Sequence, residues 1–374
     1  MDRLKKGIIG LCFIVLFLPL LQQMLHFINV EKLQENRNMR RMPTGIVFIQ
    51  LYLKGTDYSR AFEQYYNDNF GFRDFLIRVK NQLDYSVWGL KEGYSDELLI
   101  GKEGYLYYRG ELEVEQAISD RMSDAQIEKA VGHFKKLQSS LRQKGTQLVV
   151  LPIEIKNQIY PEYLPSNSIV RKNPNSYERL MTRLRQVPEL VVVEATPILL
   201  ESKKIQPVYY KTDSHWNDFG AYSVGKALVS QLQKLARQKE SDNYQITFKQ
   251  QEFSGGQNNN LAIFFPPTEN AWVVDKILMQ DSAILNDDKR FNGHWKANRP
   301  DDADKIPLTV MVGNSFTGTF TGIGFFNNFS EAYWLHSDKK SKVLEYLPSG
   351  TKFVVYQFLD ADIAFRVAGD QFWP

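Results

Sequence analysis

The stretch LTVMVGNSF, Leu308–Phe316, carries the pattern that decides the predicted fold class. Its first half is a short, continuous apolar run, which is typical of a strand buried on both faces of a sheet. Gly-Asn then supplies a turn, and Ser315 follows directly. Since ligands bind beyond the carboxyl ends of strands in open α/β sheets, this serine hydroxyl occupies a position suited to chemistry.

Similar apolar runs recur along the chain and alternate with segments of helical periodicity. The runs predict four further strands: Thr146–Ile153, Glu189–Ala195, Glu331–His336 and Lys352–Phe358. The periodic segments predict three helices: Ser123–Gly145, Asn175–Gln186 and Phe219–Arg237. A further helical stretch is predicted between the last two strands. This alternation predicts an α/β fold, a three-layer sandwich whose central sheet is mainly parallel and covered by helices on both faces.

The remaining segments predict less regular structure. Phe62–Leu90 has apolar residues at helical spacing with a break near Gly71, and Leu98–Gly110 reads as a hairpin. Two polar segments are expected to be loops, Ser254–Asn260 and Asp281–Lys305.

Composition excludes some classes of function. The chain has 374 residues and a formal net charge of only +3, with no long Lys/Arg cluster, so a nucleic-acid partner is not expected. Aromatic residues make up 13%, which suits packing against sugar rings as well as a Phe- and Tyr-rich core. Cys12 is the single cysteine, so an intramolecular disulfide is impossible and a catalytic thiol outside the N-terminal segment is excluded.

The N-terminus predicts a membrane anchor. A basic start, MDRLKK, precedes the uncharged apolar run Gly7–Leu21, which continues less strictly to Ile28. We interpret residues 1–28 as a cytoplasmic start and an uncleaved signal-anchor helix, with the rest outside the cytoplasmic membrane. A cleaved signal peptide is the alternative. Residues 29–45 read as a juxtamembrane linker, and residues 46–374 as the catalytic domain.

A second stretch, KTDSHWNDFGAY at 211–222, supplies an Asp-x-His pair ahead of a predicted helix. With Ser315 as the nucleophile, His215 would take its proton and Asp213 would hold the imidazole tautomer. The backbone N–H groups of the turn after Ser315 are expected to be free to stabilise an oxyanion. Gly313 and Asn314 shape that turn, and Trp216 is expected to pack beside the imidazole.

Other interpretations of these residues stay open. Gly-Asn-Ser is also an ordinary turn. Asp213 could cap the following helix, although Asn217 or Asp218 is better placed for that role. Asp213 and His215 could bind a metal, but the chain has no HExxH motif and no cysteine pair, so we expect neither a metal nor another cofactor. His294 is a competing candidate for the base.

Four stretches together resemble a known family, the alginate O-acetyltransferases related to AlgJ and AlgX, which have an SGNH-hydrolase-like domain. They are FEQYYNDNFGFRD with LIGKEGYLYY, LPIEIKNQIYPEYLP, TDSHW and VGNSF. In that family the Asp-x-His pair precedes the serine, as Asp213 and His215 precede Ser315. The resemblance implies an SGNH-like fold, a covalent acetyl-serine and transfer of the acetyl group to a polysaccharide hydroxyl. It also implies a periplasmic domain on the inner membrane and a membrane-bound O-acyltransferase as the acetyl donor.

The sequence departs from this family at three places. Asn314 stands where relatives often carry Asp or Thr, SGGQNNNLA replaces a stretch that often reads Ser-Gly-Asp-Leu, and Gln357 stands where glutamate is commoner. We expect the last two to affect recognition of the acceptor more than the triad. Two alternatives to the transferase remain: an acetyl esterase that uses the same triad, and a glycan-binding or assembly subunit without activity.

Overall fold

The computed structural model describes residues 2–33, 38–42, 58–87, 98–110, 122–165, 174–239, 243–278, 282–285 and 287–374. The chain divides into two compact units. The first comprises Met1–Lys91 with Asn258–Pro266, and the second comprises Glu92–Gln257 with Pro267–Pro374. The predicted boundary between linker and catalytic domain, at residues 45 and 46, lies outside the described residues and stays a prediction.

The strands within the described residues are β1 (Leu98–Ile100), β2 (Leu106–Tyr108), β3 (Gln147–Ile153), β4 (Val191–Val192), β5 (Ile246–Phe253), β6 (Glu269–Ile277), β7 (Ser282–Ile284), β8 (Gly293–Ala297), β9 (Thr309–Gly313), β10 (Glu331–His336) and β11 (Phe353–Leu359). The α-helices are α1 (Asp2–Leu25), α2 (Tyr58–Asn69), α3 (Arg73–Ser86), α4 (Asp124–Arg142), α5 (Lys156–Ile159), α6 (Ser176–Leu184), α7 (Ala195–Lys203), α8 (Asp218–Leu235), α9 (Asn258–Leu261), α10 (Ser315–Gly322) and α11 (Val343–Tyr346).

A seven-stranded sheet forms the centre of the second unit, in the order β4-β3-β11-β9-β10-β8-β7. The pairs from β4 to β10 are parallel, β8 pairs antiparallel with β10, and β7 pairs antiparallel with β8 at the edge. The predicted mainly parallel sheet is therefore confirmed. The hairpin β1–β2 also forms as expected, as a separate antiparallel pair.

Helices cover both faces of this sheet. Met311 on β9 packs in one hydrophobic cluster, which includes residues of α7, α8 and α10. Its neighbours Val310 and Val312 pack in a second cluster on the opposite face, with residues of α4 and α6. Because successive side chains of a strand point to opposite faces, a strand buried on both faces must be continuously apolar. This explains the run that predicted the three-layer fold.

Three expectations about individual elements need correction. Asp281–Lys305, predicted to be a loop, contains β7 and β8, where β8 buries His294 and Trp295. The hairpin β5–β6 was not anticipated. The strand predicted at Glu189–Ala195 is reduced to β4, since Glu189 has a positive φ of 59° and Ala195 already begins α7.

Helix α8 follows the Asp-x-His pair directly, and its start is fixed by Asn217. The side chain of Asn217 accepts a hydrogen bond from the N–H of Gly220 at 2.9 Å, and it donates to the carbonyl of Pro207 at 2.7 Å. Asn217 is therefore the N-cap. The carboxylate of Asp213 is left for another role.

The first unit contains α1–α3 and α9. Residues Leu4–Leu25 of α1 form an apolar helix of 22 residues, long enough to cross a bilayer. The side chain of Gln22, near its end, accepts from the N–H of Ile28 at 2.9 Å and donates to the carbonyl of the same residue at 2.6 Å. Gly71, at the predicted break between α2 and α3, packs against α1, because a Cβ there would lie 2.1 Å from the carbonyl oxygen of Pro19.

Candidate active site

Asp213, His215 and Ser315 meet in one hydrogen-bonded chain. The Nδ1 of His215 lies 2.6 Å from Oδ1 of Asp213, and its Nε2 lies 2.7 Å from Oγ of Ser315. An ionised carboxylate only accepts hydrogen bonds, so the proton of the neutral imidazole is on Nδ1. The lone pair of Nε2 is then directed at the serine hydroxyl. Three side chains that can act as a nucleophile, a base and an orienting carboxylate are therefore connected in series by two hydrogen bonds.

The loop that carries Asp213 and His215 is held from one side by Lys156. The Nζ of this lysine donates to the carbonyl oxygens of Tyr210 at 3.0 Å, Lys211 at 3.0 Å and Asp213 at 2.6 Å. Lys156 is only 3% exposed, and it stands at the start of α5, just after β3. Its ammonium group thus joins three carbonyl groups of this loop, of which that of Lys211 also accepts from the N–H of Leu106 on β2 at 2.8 Å.

Glu269, the first residue of β6, holds the same loop through backbone N–H groups. Its carboxylate accepts from the N–H of Lys211 and the N–H of Thr212, both at 2.8 Å, and from the hydroxyl of Thr212 at 2.8 Å. With Lys156 on the carbonyls and Glu269 on the amides, the backbone before His215 is fixed by two charged side chains.

Gly255 and Gly256 complete this support from the segment after β5. The N–H of Gly256 donates to Oδ2 of Asp213 at 2.8 Å, and the N–H of Gly255 donates to Oγ1 of Thr212 at 2.9 Å. A Cβ at Gly255 would lie 2.2 Å from the carbonyl oxygen of Thr212, so only glycine allows this approach. Burial alone would raise the pKa of Asp213, but the hydrogen bonds and charge of His215, with the N–H of Gly256, hold that pKa well below its usual range.

Ser315 is the first residue of α10 and is exposed, directly after the buried strand β9. Asn314 is the N-cap, and its side chain accepts from the N–H of Phe316 at 3.0 Å. We expected the N–H groups of this turn to be free to stabilise an oxyanion. The N–H of Phe316 is already occupied, because it donates to the capping side chain of Asn314.

Gln357 on β11 holds the turn between β9 and α10. Its Oε1 accepts from the N–H of Asn314 at 2.9 Å and from the hydroxyl of Thr317 at 3.2 Å. A Cβ at Gly313 would lie 2.0 Å from Oγ1 of Thr317 and 2.6 Å from Oε1 of Gln357. The strand can therefore reach the nucleophile in this conformation only with a glycine at residue 313.

A family model described as the SGNH hydrolase-like domain of acetyltransferase AlgX matches residues 98–339. The matched range is more than half of the chain and contains all three residues of the hydrogen-bonded chain. The protein belongs to this family.

Individual curated relatives match this chain at low sequence identity and over about half of its length. The probable alginate O-acetylase AlgJ of Pseudomonas aeruginosa is 24% identical over 180 residues, which are 47% of this chain and 42% of the relative. The protein of the same name from Azotobacter vinelandii is 25% identical over 190 residues, 50% of this chain and 46% of the relative. The matches thus span less than half the length of these curated relatives.

A solved structure supports the fold. Bacillus cereus PatB1 superposes with a TM-score of 0.52 at 11% identity, over 72% of this chain and 98% of that one. The predicted SGNH-like α/β fold is confirmed by the family match and by this likeness.

Trp216 supports the AlgX-like site from the core. Its side chain is fully buried, and its ring packs 5.2 Å from Phe316 and 5.4 Å from Phe320 between centroids. The ring of Phe316 contacts the imidazole of His215, with 4.9 Å between the ring centroids. Phe316, which we did not single out from the sequence, thus contacts both Trp216 and His215 from the first turn of α10.

His294 is engaged elsewhere in the AlgX-like domain. Its two ring nitrogens contact Asp287 and Glu331, each at 2.8 Å, and its ring stacks on Tyr333 at 4.0 Å. With only 7% of its side chain exposed, it is a structural histidine of β8, while His215 contacts Ser315. Among the described residues, no group of three or more His, Cys, Asp or Glu side chains is arranged to hold a metal ion.

The two departures that we expected to affect acceptor recognition more than the triad contact the segments that carry Asp213 and Ser315. Gly255 and Gly256 of SGGQNNNLA contact the loop of Asp213, and Gln357 is 2% exposed beneath the turn of Ser315. The Gly-Gly pair was a usable signal, since adjacent glycines often mark a close backbone approach. Nothing in the local sequence indicated what Lys156, Glu269 or Gln357 would contact, because each acts on a segment distant in sequence.

Proposed function

We propose that this protein is an O-acetyltransferase that modifies hydroxyl groups of an exported polysaccharide through an acetyl-Ser315 intermediate. The observation that carries the proposal is the hydrogen-bonded chain from Asp213 through His215 to Ser315. Membership of the AlgX family, and similarity to proteins named probable alginate O-acetylase, support the transfer of acetyl groups.

In the first half-reaction, Oγ of Ser315 attacks the acetyl carbonyl of the donor while Nε2 of His215 takes the hydroxyl proton. The new C–O bond forms, the bond to the donor's leaving group breaks, and that group receives the proton from His215. Asp213 stabilises the imidazolium that exists between these two proton transfers.

In the second half-reaction, a sugar hydroxyl takes the place of the leaving group. His215 removes its proton as the sugar oxygen attacks the acetyl carbon, and then returns the proton to Oγ of Ser315 as the ester bond to the serine breaks. The acetyl group has then moved from donor to sugar without any change in oxidation state, so the reaction requires no redox cofactor.

The location and partners belong to the same proposal. Helix α1 would anchor the protein in the cytoplasmic membrane as a single span, with the catalytic residues on the periplasmic side. A membrane-bound O-acyltransferase would supply the acetyl group, and the acceptor would be a polysaccharide passing through that compartment.

The triad is tested with the full-length protein in detergent, p-nitrophenyl acetate as donor and an oligosaccharide as acceptor. We expect Ser315→Ala, His215→Ala and Asp213→Asn each to lower turnover by about 10³-fold or more, because the three residues act as a unit. The double variant Ser315→Ala/His215→Ala should be scarcely slower than Ser315→Ala. Thr321→Ala, an exposed position on α10, serves as the control.

Mass spectrometry of the trapped wild-type reaction should find one acetyl group on the peptide that contains Ser315. Full activity in Ser315→Ala, or acetylation of another serine, would show that the site is wrong. Hydrolysis without transfer to any acceptor would replace the transferase by an esterase, and an inert wild-type protein that binds glycan would indicate an assembly subunit.

A further inference from the structure

Strand β10 brings two ring side chains to the carboxyl edge of the sheet, beside the nucleophile. It runs parallel to β9, with Trp334 opposite Met311 and His336 opposite Gly313. Residues two apart on a strand point to the same face, so both rings lie on the side of Met311. That face carries α10, the helix that begins with Ser315.

Trp334 lies along the first turn of this helix. Its Nε1 donates to the carbonyl oxygen of Gly313 at 3.0 Å, and a Cβ at Gly318 would come within 3.0 Å of its ring. Gly318 is three residues after Ser315 and therefore on the same side of α10. The absence of a side chain at residue 318 lets the indole approach the helix, and part of the indole remains exposed.

His336 stands next to this indole, with 6.4 Å between the ring centroids and 32% of its side chain exposed. Its Nδ1 is occupied by Asp338, whose backbone N–H lies at 3.3 Å and whose Oδ2 lies at 3.2 Å. Within the described part of the chain, Nε2 is thus the ring nitrogen that can face a ligand. An apolar ring beside a polar ring nitrogen presents two kinds of contact to one molecule.

We propose that Trp334 and His336 form the subsite for the acceptor sugar. The apolar face of a pyranose ring would pack on the indole, and Nε2 of His336 would hydrogen-bond one of its hydroxyls, so that a neighbouring hydroxyl faces acetyl-Ser315. The proposal rests on the function proposed above and adds the residues that bind the acceptor. Both are positioning residues, since His215 moves the protons.

Binding is measured first, because it does not depend on catalysis. Calorimetric titration of the full-length Ser315→Ala protein uses two hexasaccharides, neutral cellohexaose and acidic oligomannuronate. We expect Trp334→Leu and His336→Leu, each made in the Ser315→Ala background, to raise the Kd of the bound hexamer by on the order of tenfold. Trp334→Phe and His336→Gln should restore part of the affinity. Trp272→Leu, a partly buried tryptophan of the separate β5–β6 sheet, is the matched control.

The second measurement is the ratio of acetyl transferred to acetyl hydrolysed, in proteins that retain Ser315. Both products come from one acetyl-enzyme, so a slower first half-reaction cancels from the ratio, and we expect a drop of about tenfold in both leucine variants. Failure of both hexamers to bind the Ser315→Ala protein, or a Kd and a ratio within twofold of the parent protein in both leucine variants, would overturn the subsite. Neither result alters the triad test, whose readout is acetylation of Ser315.

Discussion

The smallest feature on which the proposed chemistry depends is a single amide oxygen. Oε1 of Gln357, a buried residue, accepts from a backbone N–H and a hydroxyl on either side of Ser315. Buried donors that lose their acceptor cost about 1–3 kcal/mol each. This one oxygen therefore satisfies two donors and fixes the position of Ser315 at the same time.

Variants of Gln357 should distinguish the effect of its hydrogen bonds from the effect of its packing. We expect Gln357→Leu to lower the free energy of unfolding by about 2–6 kcal/mol and to slow formation of acetyl-Ser315 more than tenfold, because Asn314 and Thr317 both lose their acceptor. Gln357→Glu keeps an acceptor oxygen and should recover much of the rate. Urea unfolding and single-turnover acetylation are the measurements.

Gln251→Leu, an exposed position on β5, is the control for removing an amide. An acetylation rate in Gln357→Leu equal to that of the control would mean that the hydrogen bonds do not position the nucleophile.

At this scale the sequence predicted local motifs and missed distant partners. Asp213 and His215 are two residues apart, and Ser315 follows a visible strand, so a pattern search finds them. Lys156 and Gln357 reach those motifs from segments 57 and 43 residues away, respectively. Their side chains are of common types, and only the folded chain shows what they contact.

Among the elements, the junction between β9 and α10 sets the position of Ser315. The strand must end and the helix begin within two residues, with Trp334, Thr317 and Gln357 all against Gly313. Glycine is required at residue 313 because no space is left for a side chain. Backbone conformation is not the reason, since the φ of Gly313 is not in the left-handed region.

Adding one methyl group tests this junction. We expect Gly313→Ala to lower stability by about 1–3 kcal/mol, because the new Cβ meets Thr317 and Gln357 in a packed core. It should also slow acetylation of Ser315. Gly132→Ala is the matched control: residue 132 lies exposed within α4 with no atom near its Cβ, so alanine there should stabilise by about 0.5–1 kcal/mol.

Thermal unfolding and acetyl-enzyme kinetics of the two alanine variants give the comparison. Equal melting temperatures and rates would mean that the turn accommodates a side chain and that its glycine is incidental.

The elements that could be predicted are those with one clear periodicity. The continuous apolar runs of β3, β9 and β11 and the amphipathic α4 and α8 were recognisable in the sequence. Strands β7 and β8 were not, because they pair at the sheet's edge, where Lys296 is exposed and the buried His294 is a polar residue that contacts Asp287 and Glu331. A polar, charged edge strand has the composition of a loop.

For the whole molecule, the main proposal is its orientation across a membrane. Arg3, Lys5 and Lys6 lie at the start of α1, ahead of its uncharged run from Gly7, and basic residues favour the cytoplasmic side. We expect alkaline phosphatase fused after residue 374 to be active in bacterial cells, and green fluorescent protein at the same point, exported through the Sec pathway, to be dark. Deleting residues 1–28 should reverse both results.

Fluorescence of the full-length fusion together with an inactive phosphatase would place the catalytic residues in the cytoplasm and remove the case for an exported substrate. The deletion controls for reporters that fail for other reasons, since it changes only the segment that is proposed to direct the rest across the membrane.

The position of β11 between β3 and β9 has a consequence for how the protein folds. The N–H of Ile155, just after β3, donates to the side chain of Asp360, just after β11, and the two residues are 205 apart in sequence. Contacts of such separation must close a long loop before they gain energy, so they form slowly. The sheet cannot be completed until this late strand enters its middle. Hydrolytic activity in a refolding experiment should therefore appear with the slowest phase, after α4 and α8 have gained their helical signal.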